Sequence, residues 1–268
     1  MEKFYNFKNR QIHYLEINKN FKKNVLLIHG FTSEIGYLEE VYKLFENEYN
    51  IYAIDLPTHG QSEIANELMN MESFRDLVID FVTNKNLHNL TLVGHSMGGG
   101  VSATVSPYLE KYLDKVILLA PMNRTMLKYN YKWPLFFPRN LEDYKKLIPV
   151  LFYNPEPILT NVETLKQVEK KFSDENTHKR LDVIYDWGYK MPEEHNQIIV
   201  DEGIKNCPVP LALINGDHDG IVDVELCNDH YLKLNKKTKH YVIKNSGHSM
   251  WFENPVDFKA AILDFINS

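Results

Sequence analysis

Short, nearly continuous apolar runs alternate with stretches of helical periodicity along most of this chain, and that alternation restricts the fold more than any other feature. Val25-Leu26-Leu27-Ile28, Ile51-Tyr52-Ala53-Ile54 and Leu90-Thr91-Leu92-Val93 are too short for helices and, Thr91 apart, apolar at successive positions. Strands of that kind bury both faces. Between them, Leu38, Val41, Leu44 and Phe45, then Phe74, Leu77, Val78, Phe81 and Val82, recur at helical spacing. Further strands are expected at Lys115 to Ala120, Pro210 to Ile214 and His240 to Ile243. Helices are expected near Val224 to Leu234 and from Pro255 to Ile266. Buried strands alternating with helices imply βαβ units and a mostly parallel sheet covered on both sides. Phe4 to Phe7 and Gln11 to Ile17, flanking Lys8-Asn9-Arg10, read as an N-terminal hairpin.

The alternation pauses once. From Met122 to about Lys205 no comparable apolar strand occurs, but aromatics are dense, among them Tyr129, Trp133, Phe136, Phe137, Tyr185 and Trp187. Pieces around Leu141 to Leu151 and Val162 to Phe172 have helical patterning. An α/β core of residues 1–121 and 206–268, interrupted by a helical insertion over 122–205, is the expected organisation. At 268 residues one large core suffices. A net charge of −6 gives no basic footprint for nucleic acid. Two cysteines make no disulfide framework, no residues stand at metal-ligand spacing, and no segment has the apolar length of a membrane span or a signal peptide. No cofactor, no nucleic acid, no stable membrane association and a cytoplasmic location are the expectations; oligomeric state is not legible.

Gly94-His95-Ser96-Met97-Gly98 carries chemistry. A serine hydroxyl becomes a nucleophile only when a base takes its proton and the backbone exposes its oxygen. Gly-x-Ser-x-Gly after a strand and before a helix places the serine on a strained turn, with glycines allowing strand and helix to approach closely. Chance supplies the pattern in about one sequence in fifty of this composition, so context decides. Here Leu90 to Val93 precedes it, and Gly99, Gly100, Ser102 and Ala103 follow.

A base and an acid follow in the order Ser, Asp, His. Asp219 lies in Gly216-Asp217-His218-Asp219-Gly220, just past a strand, and His248 lies in Asn245-Ser246-Gly247-His248, just past another. Both emerge at the carboxyl edge of the sheet, where such folds bind ligands. Asp219 is preferred to Asp217, which sits close to the strand end, and to Asp223, which fits a helix N-cap. Backbone N–H groups of Phe31 and Met97 are the natural oxyanion donors. His29 is a substrate-site candidate whose more ordinary role is to hold its loop by hydrogen bonds. His59, His95 and His218 remain open, and a metal role for them lacks ligand spacing.

At this point the chain resembles the capped α/β-hydrolases over nearly its whole length. The matching blocks are His29-Gly30-Phe31, Asp55-Leu56-Pro57-Thr58-His59-Gly60-Gln61-Ser62, Gly94 to Gly99, Gly216 to Val222, and Ser246-Gly247-His248 with Glu253-Asn254-Pro255. The resemblance implies an eight-stranded, mostly parallel sheet flanked by helices, with 122–205 as the cap. Ser96 separates the chain from dehalogenases and epoxide hydrolases, which carry aspartate there. Thr58 departs from the glycine usual at its position. Met122, Met126 and Trp187 are expected to line a pocket, the other insertion aromatics mostly forming its own core. Hydrolysis of small-molecule carboxylic esters with small or medium acyl groups, through an acyl-enzyme, is the expected activity. Thioesterase, proline-iminopeptidase-like amidase and C–C hydrolase use the same residues, and a catalytically inactive ligand-binding relative is the alternative from outside enzymology.

Overall fold

The structure is a computed structural model describing residues 1–268. Eight strands form one sheet: β1 (Glu2–Phe7), β2 (Arg10–Ile17), β3 (Lys23–Ile28), β4 (Tyr49–Ile54), β5 (Leu90–His95), β6 (Leu113–Leu119), β7 (Leu211–Gly216) and β8 (Lys239–Ile243). Their order is β1-β2-β4-β3-β5-β6-β7-β8. β2 is antiparallel to both neighbours, and every pairing from β4 to β8 is parallel. The β1–β2 hairpin turns on Lys8 and Asn9, with φ of 49° and 64°, the pair of left-handed residues that a two-residue type I′ turn needs. β4, β5 and β7 are buried along their whole length, which explains why they read as unbroken apolar runs rather than alternating ones.

The helices are α1 (Glu39–Tyr42), α2 (Met71–Lys85), α3 (Met97–Val105), α4 (Leu141–Leu151), α5 (Glu156–Leu159), α6 (Val162–Ser173), α7 (Glu175–Gly188), α8 (Glu194–Lys205), α9 (Val224–Leu234), α10 (Met250–Glu253) and α11 (Pro255–Ile266). α2 illustrates their local logic. The Asn70 side chain accepts the Ser73 N–H at its start, Asn86 closes it in the left-handed conformation, and Phe74, Leu77, Val78, Phe81 and Val82 form the buried face. The helix expected over 38–45 is instead three short pieces, α1 flanked by 3₁₀ turns at Ile35–Leu38 and Lys43–Phe45. Ile35 N–H is tied to Asp55 Oδ1 and Tyr37 OH to Ser249 Oγ, so tertiary anchors override the helical period there.

α2, α3, α8 and α9 pack in one row, and α1, α10 and α11 in another. Between β6 and β7 there is no strand, only a 3₁₀ run over Arg124–Phe136 followed by α4 to α8. α8 seats directly on α3: a Cβ on Gly203 would fall 2.3 Å from the Ala103 carbonyl oxygen. That helix therefore belongs with the layer covering the sheet, while the segment before it stands over the strand ends. Lys115, in β6, is buried, yet its ammonium donates to the carbonyls of Phe265, Ile266 and Ser268 at 3.0, 2.9 and 2.9 Å. Those carbonyls end α11, where free acceptors and the helix dipole favour a cation. No helix is long and apolar enough to cross a membrane.

Candidate active site

Ser96 occupies the turn between β5 and α3 with φ 54° and ψ −120°, a region that non-glycine residues enter only under strain. Its surroundings hold it there. Ser96 N–H donates to the Leu119 carbonyl at 2.9 Å, and its own carbonyl accepts from Met122, Gly99 and Gly100 at 2.7, 2.9 and 3.2 Å. The flanking glycines are a packing necessity. A Cβ on Gly94 would lie 2.2 Å from the Gly98 carbonyl oxygen, and one on Gly98 would lie 2.3 Å from the Ile28 carbonyl oxygen. Both obstacles are backbone, so neither position has room for a side chain.

His248 and Asp219 meet at the carboxyl ends of β8 and β7. His248 Nδ1 donates to Asp219 Oδ2 at 2.7 Å, with both side chains almost wholly buried. Asp219 Oδ1 accepts the N–H groups of Ile221 and Val222 at 2.7 and 3.0 Å, which fixes the carboxylate plane. The other loop acids are employed elsewhere. Asp217 faces His218 and the Ser246 N–H, and Asp223 caps α9 by accepting the Leu226 N–H. His248 is joined to the serine turn through His95, whose Nε2 donates to the His248 carbonyl at 3.1 Å and whose ring lies 4.8 Å from the His248 ring. Burial pushes the His95 imidazole well below the usual histidine range, with the nearby His248 pushing the same way. His95 is thus a neutral donor.

The N–H of Phe31 and that of Met97 donate to no protein acceptor. Phe31 follows Gly30, and a Cβ at Gly30 would approach the Ser96 Cβ to 3.0 Å, so this loop lies against the serine. Its anchor is the Asp55–Ser62 loop. His29 Nδ1 donates to the Gly30 carbonyl at 2.7 Å, and its Nε2 accepts the Leu56 N–H at 3.0 Å. Both nitrogens being engaged in a buried loop contact, His29 is placed away from the substrate role and in the loop-holding one. Asp55 accepts from Ile35, Gln61 and His13. Thr58 adopts φ 69°, which explains the glycine usual there. Its hydroxyl accepts the Ala65 N–H, and its carbonyl and that of Ser62 accept the Arg180 guanidinium from α7. Burial lowers the His59 imidazole to about 3, keeping it neutral.

Met122 and Met126 line a narrow, mainly apolar cleft with Leu127, Trp133, Met191 and Gln197. Trp187 lies elsewhere, edge-on to Phe74 with its indole N–H on the Met97 sulfur. A larger polar cleft of about 280 Å³ opens between Thr32–Glu34, Thr58–Gly60 and Arg180. Phe31 carries the insertion's aromatic cluster: Phe137 and Tyr185 pack on its ring at 5.9 and 6.2 Å. Sequence reasoning missed Arg180, Tyr37, Ser249 and the backbone of Val150 and Leu151. None carries a periodic or motif signal.

This sheet order with a strained serine after β5 and a histidine–aspartate pair after β8 and β7 defines the α/β-hydrolase class. The serine aminopeptidase S33 family matches residues 19–255, and the chain belongs to that family of α/β hydrolases. It is 28% identical over 256 residues to a Mycoplasma genitalium protein named as an esterase/lipase, covering 92% of this chain and 90% of that one. Among solved structures, it is similar to one named as a lipase from Acinetobacter baumannii (TM-score 0.86, 19% identity, 99% and 90% covered). It is also similar to a serine hydrolase involved in carbazole degradation (TM-score 0.81, 22% identity, 100% and 98% covered).

Proposed function

We propose that this chain is a serine esterase that cleaves carboxylic esters of small or medium acyl groups through an acyl-enzyme on Ser96. The observation that carries the reading is the strained Ser96 turn set beside the buried His248–Asp219 pair. In this mechanism His248 Nε2 takes the Ser96 hydroxyl proton as Oγ attacks the ester carbonyl. The resulting oxyanion is held by the unengaged N–H groups of Phe31 and Met97. His248 then passes its proton to the departing alkoxide, and the acyl group stays on Ser96. A water, deprotonated by His248, attacks that acyl group; the acid leaves and the serine recovers its proton. Asp219 keeps the imidazole in the tautomer with hydrogen on Nδ1 and stabilises the imidazolium.

Ester rather than amino-terminal peptide substrates are our choice, and two of the acids that could hold a substrate amine are already paired. Of Glu193, Glu194 and Asp201, the last two pair with Arg124 at 2.8 and 2.9 Å, and Asp201 also with His230, which leaves Glu193 as the carboxylate without an ion pair. Met122, whose N–H is bonded to the Ser96 carbonyl, lines a narrow, mainly apolar cleft, which supports a small acyl group over a bulky one. The names of the Mycoplasma and Acinetobacter relatives agree with this choice.

The test is hydrolysis of p-nitrophenyl esters of increasing chain length, beside a thioester and a prolyl amide. Short and medium esters should be cleaved fastest. Ser96→Ala and His248→Ala should each lower kcat by about 10⁶, and a fluorophosphonate should label the wild type but not Ser96→Ala. Near-normal esterase turnover in either variant would refute the assignment.

A further inference from the structure

Glu253 ends α10 in the Glu253-Asn254-Pro255 block, and nothing in the mechanism above uses it. Its carboxylate bridges two distant backbone segments. Oε2 accepts the N–H of Gly247, the residue before His248, at 2.7 Å. Oε1 accepts the N–H of Asn154, three residues past the end of α4, at 2.8 Å. The same stretch of the insertion grips the base and acid loops directly. His248 N–H donates to the Leu151 carbonyl at 2.7 Å, and Gly220 N–H, next to Asp219, donates to the Val150 carbonyl at 3.1 Å.

Val150 and Leu151 lie in the last turn of α4, whose carbonyls have no intrahelical partners. Here those orphan acceptors are satisfied by the two loops that carry the acid and the base. The fit is close: a Cβ on Gly247 would meet the Leu151 carbonyl oxygen at 2.3 Å, and one on Gly220 the Val150 carbonyl oxygen at 2.3 Å. Lys132, also from the insertion, donates to the Gly220 carbonyl at 2.7 Å. By contrast, on the side of the parallel core, the His248 backbone has the single His95 bond to its carbonyl.

We propose that Glu253 is a positioning residue for His248, locking the base loop to the end of α4 so that the insertion sets the alignment of base and acid. This rests on the reading of Ser96, His248 and Asp219 given above. Chemistry is then coupled to the seating of residues 150–154. When that segment lifts, His248 loses the Leu151 carbonyl, Gly220 loses the Val150 carbonyl and Glu253 loses the Asn154 N–H, and the imidazole loses its aim at the serine.

The experiment is a double-mutant cycle between Glu253→Ala and Asp219→Asn, measured on a short p-nitrophenyl ester with protein shown to be folded by circular dichroism. Misplacing a catalytic group by about 1 Å costs on the order of 100-fold. Glu253→Ala should lower kcat about 10- to 100-fold with KM within about twofold, and should slow fluorophosphonate labelling of Ser96 similarly. In the Asp219→Asn background, the same substitution should change kcat by less than about threefold, because residues acting as one unit are not additive. An unchanged kcat in folded Glu253→Ala, a change in KM alone, or full multiplicative loss in both backgrounds would overturn the proposal. If Glu253→Ala does not fold, Glu253→Gln carries the same cycle, since it keeps the volume and one of the two acceptors. An Asp219→Asn variant that keeps wild-type turnover would instead overturn the underlying mechanism.

Discussion

Replacing Asp219 by asparagine separates what its two oxygens do. Oδ1 holds the Ile221 and Val222 N–H groups, and Oδ2 receives the His248 Nδ1 proton at 2.7 Å. An asparagine keeps the two backbone bonds by placing its oxygen where Oδ1 was, which turns its NH₂ toward His248 Nδ1. Two donors then face each other. The imidazole relieves this by moving its hydrogen to Nε2, and in that tautomer it has no lone pair for the serine proton. The loss expected from a wrong tautomer is about 10⁴ in kcat, or about 5.5 kcal/mol. Asp219→Ala acts differently. It strands two buried N–H groups at about 1–3 kcal/mol each, so stability should fall along with activity. Steady-state ester hydrolysis at pH 7.5 and thermal unfolding followed by circular dichroism read the two effects. Asp219→Asn should unfold within about 2 °C of wild type, while Asp219→Ala should unfold lower by about 5 °C or more. A folded Asp219→Asn protein retaining more than a tenth of wild-type kcat would refute this assignment and leave Asp219 a loop-structuring residue only.

Burial lowers the imidazoles of His29 and His95, and that of His59 to about 3. Their neutral forms are favoured in the fold while the unfolded chain takes up protons below about 6.5, so their contribution is level above that pH and falls as pH drops below it, for His59 down to about 3. At pH 5 His59 alone costs about 2 kcal/mol, with His29 and His95 acting in the same direction, and urea midpoints that do not move between pH 7 and 5 would contradict the burial argument. Lys115→Met should lower stability by about 3 kcal/mol, because three carbonyls lose one charged donor; a thermal midpoint unchanged within 2 °C would show the contact to be dispensable.

The sheet was legible because burial on both faces leaves unbroken apolar runs, and α4, α9 and α11 fall within the stretches marked by their periodicity. The serine turn and the loops carrying Asp219 and His248 were legible because glycine must stand where backbone approaches backbone, as at Gly94 and Gly98. The region around α1 was misjudged since its anchors, Asp55 and Ser249, lie far away in the chain. Glu253 stands in a block that the resemblance picks out, but its role is not legible there: it serves two N–H groups, and a backbone N–H looks alike in every residue. His29 is ambiguous from sequence because its second partner, the Leu56 N–H, lies 27 residues further along the chain.

Lys115 has a further consequence for how the molecule comes into being during synthesis. β6 emerges from the ribosome with a lysine destined for the interior, but the carbonyls that receive its charge lie 150 to 153 residues later. Until α11 is made and docked, that ammonium must either stay wet or sit buried without a partner, and the second option costs several kcal/mol. The half of the sheet around β6 therefore cannot close early on a truncated chain. Its final packing waits for residues 265–268, which makes the end of α11 the latch of a late folding step.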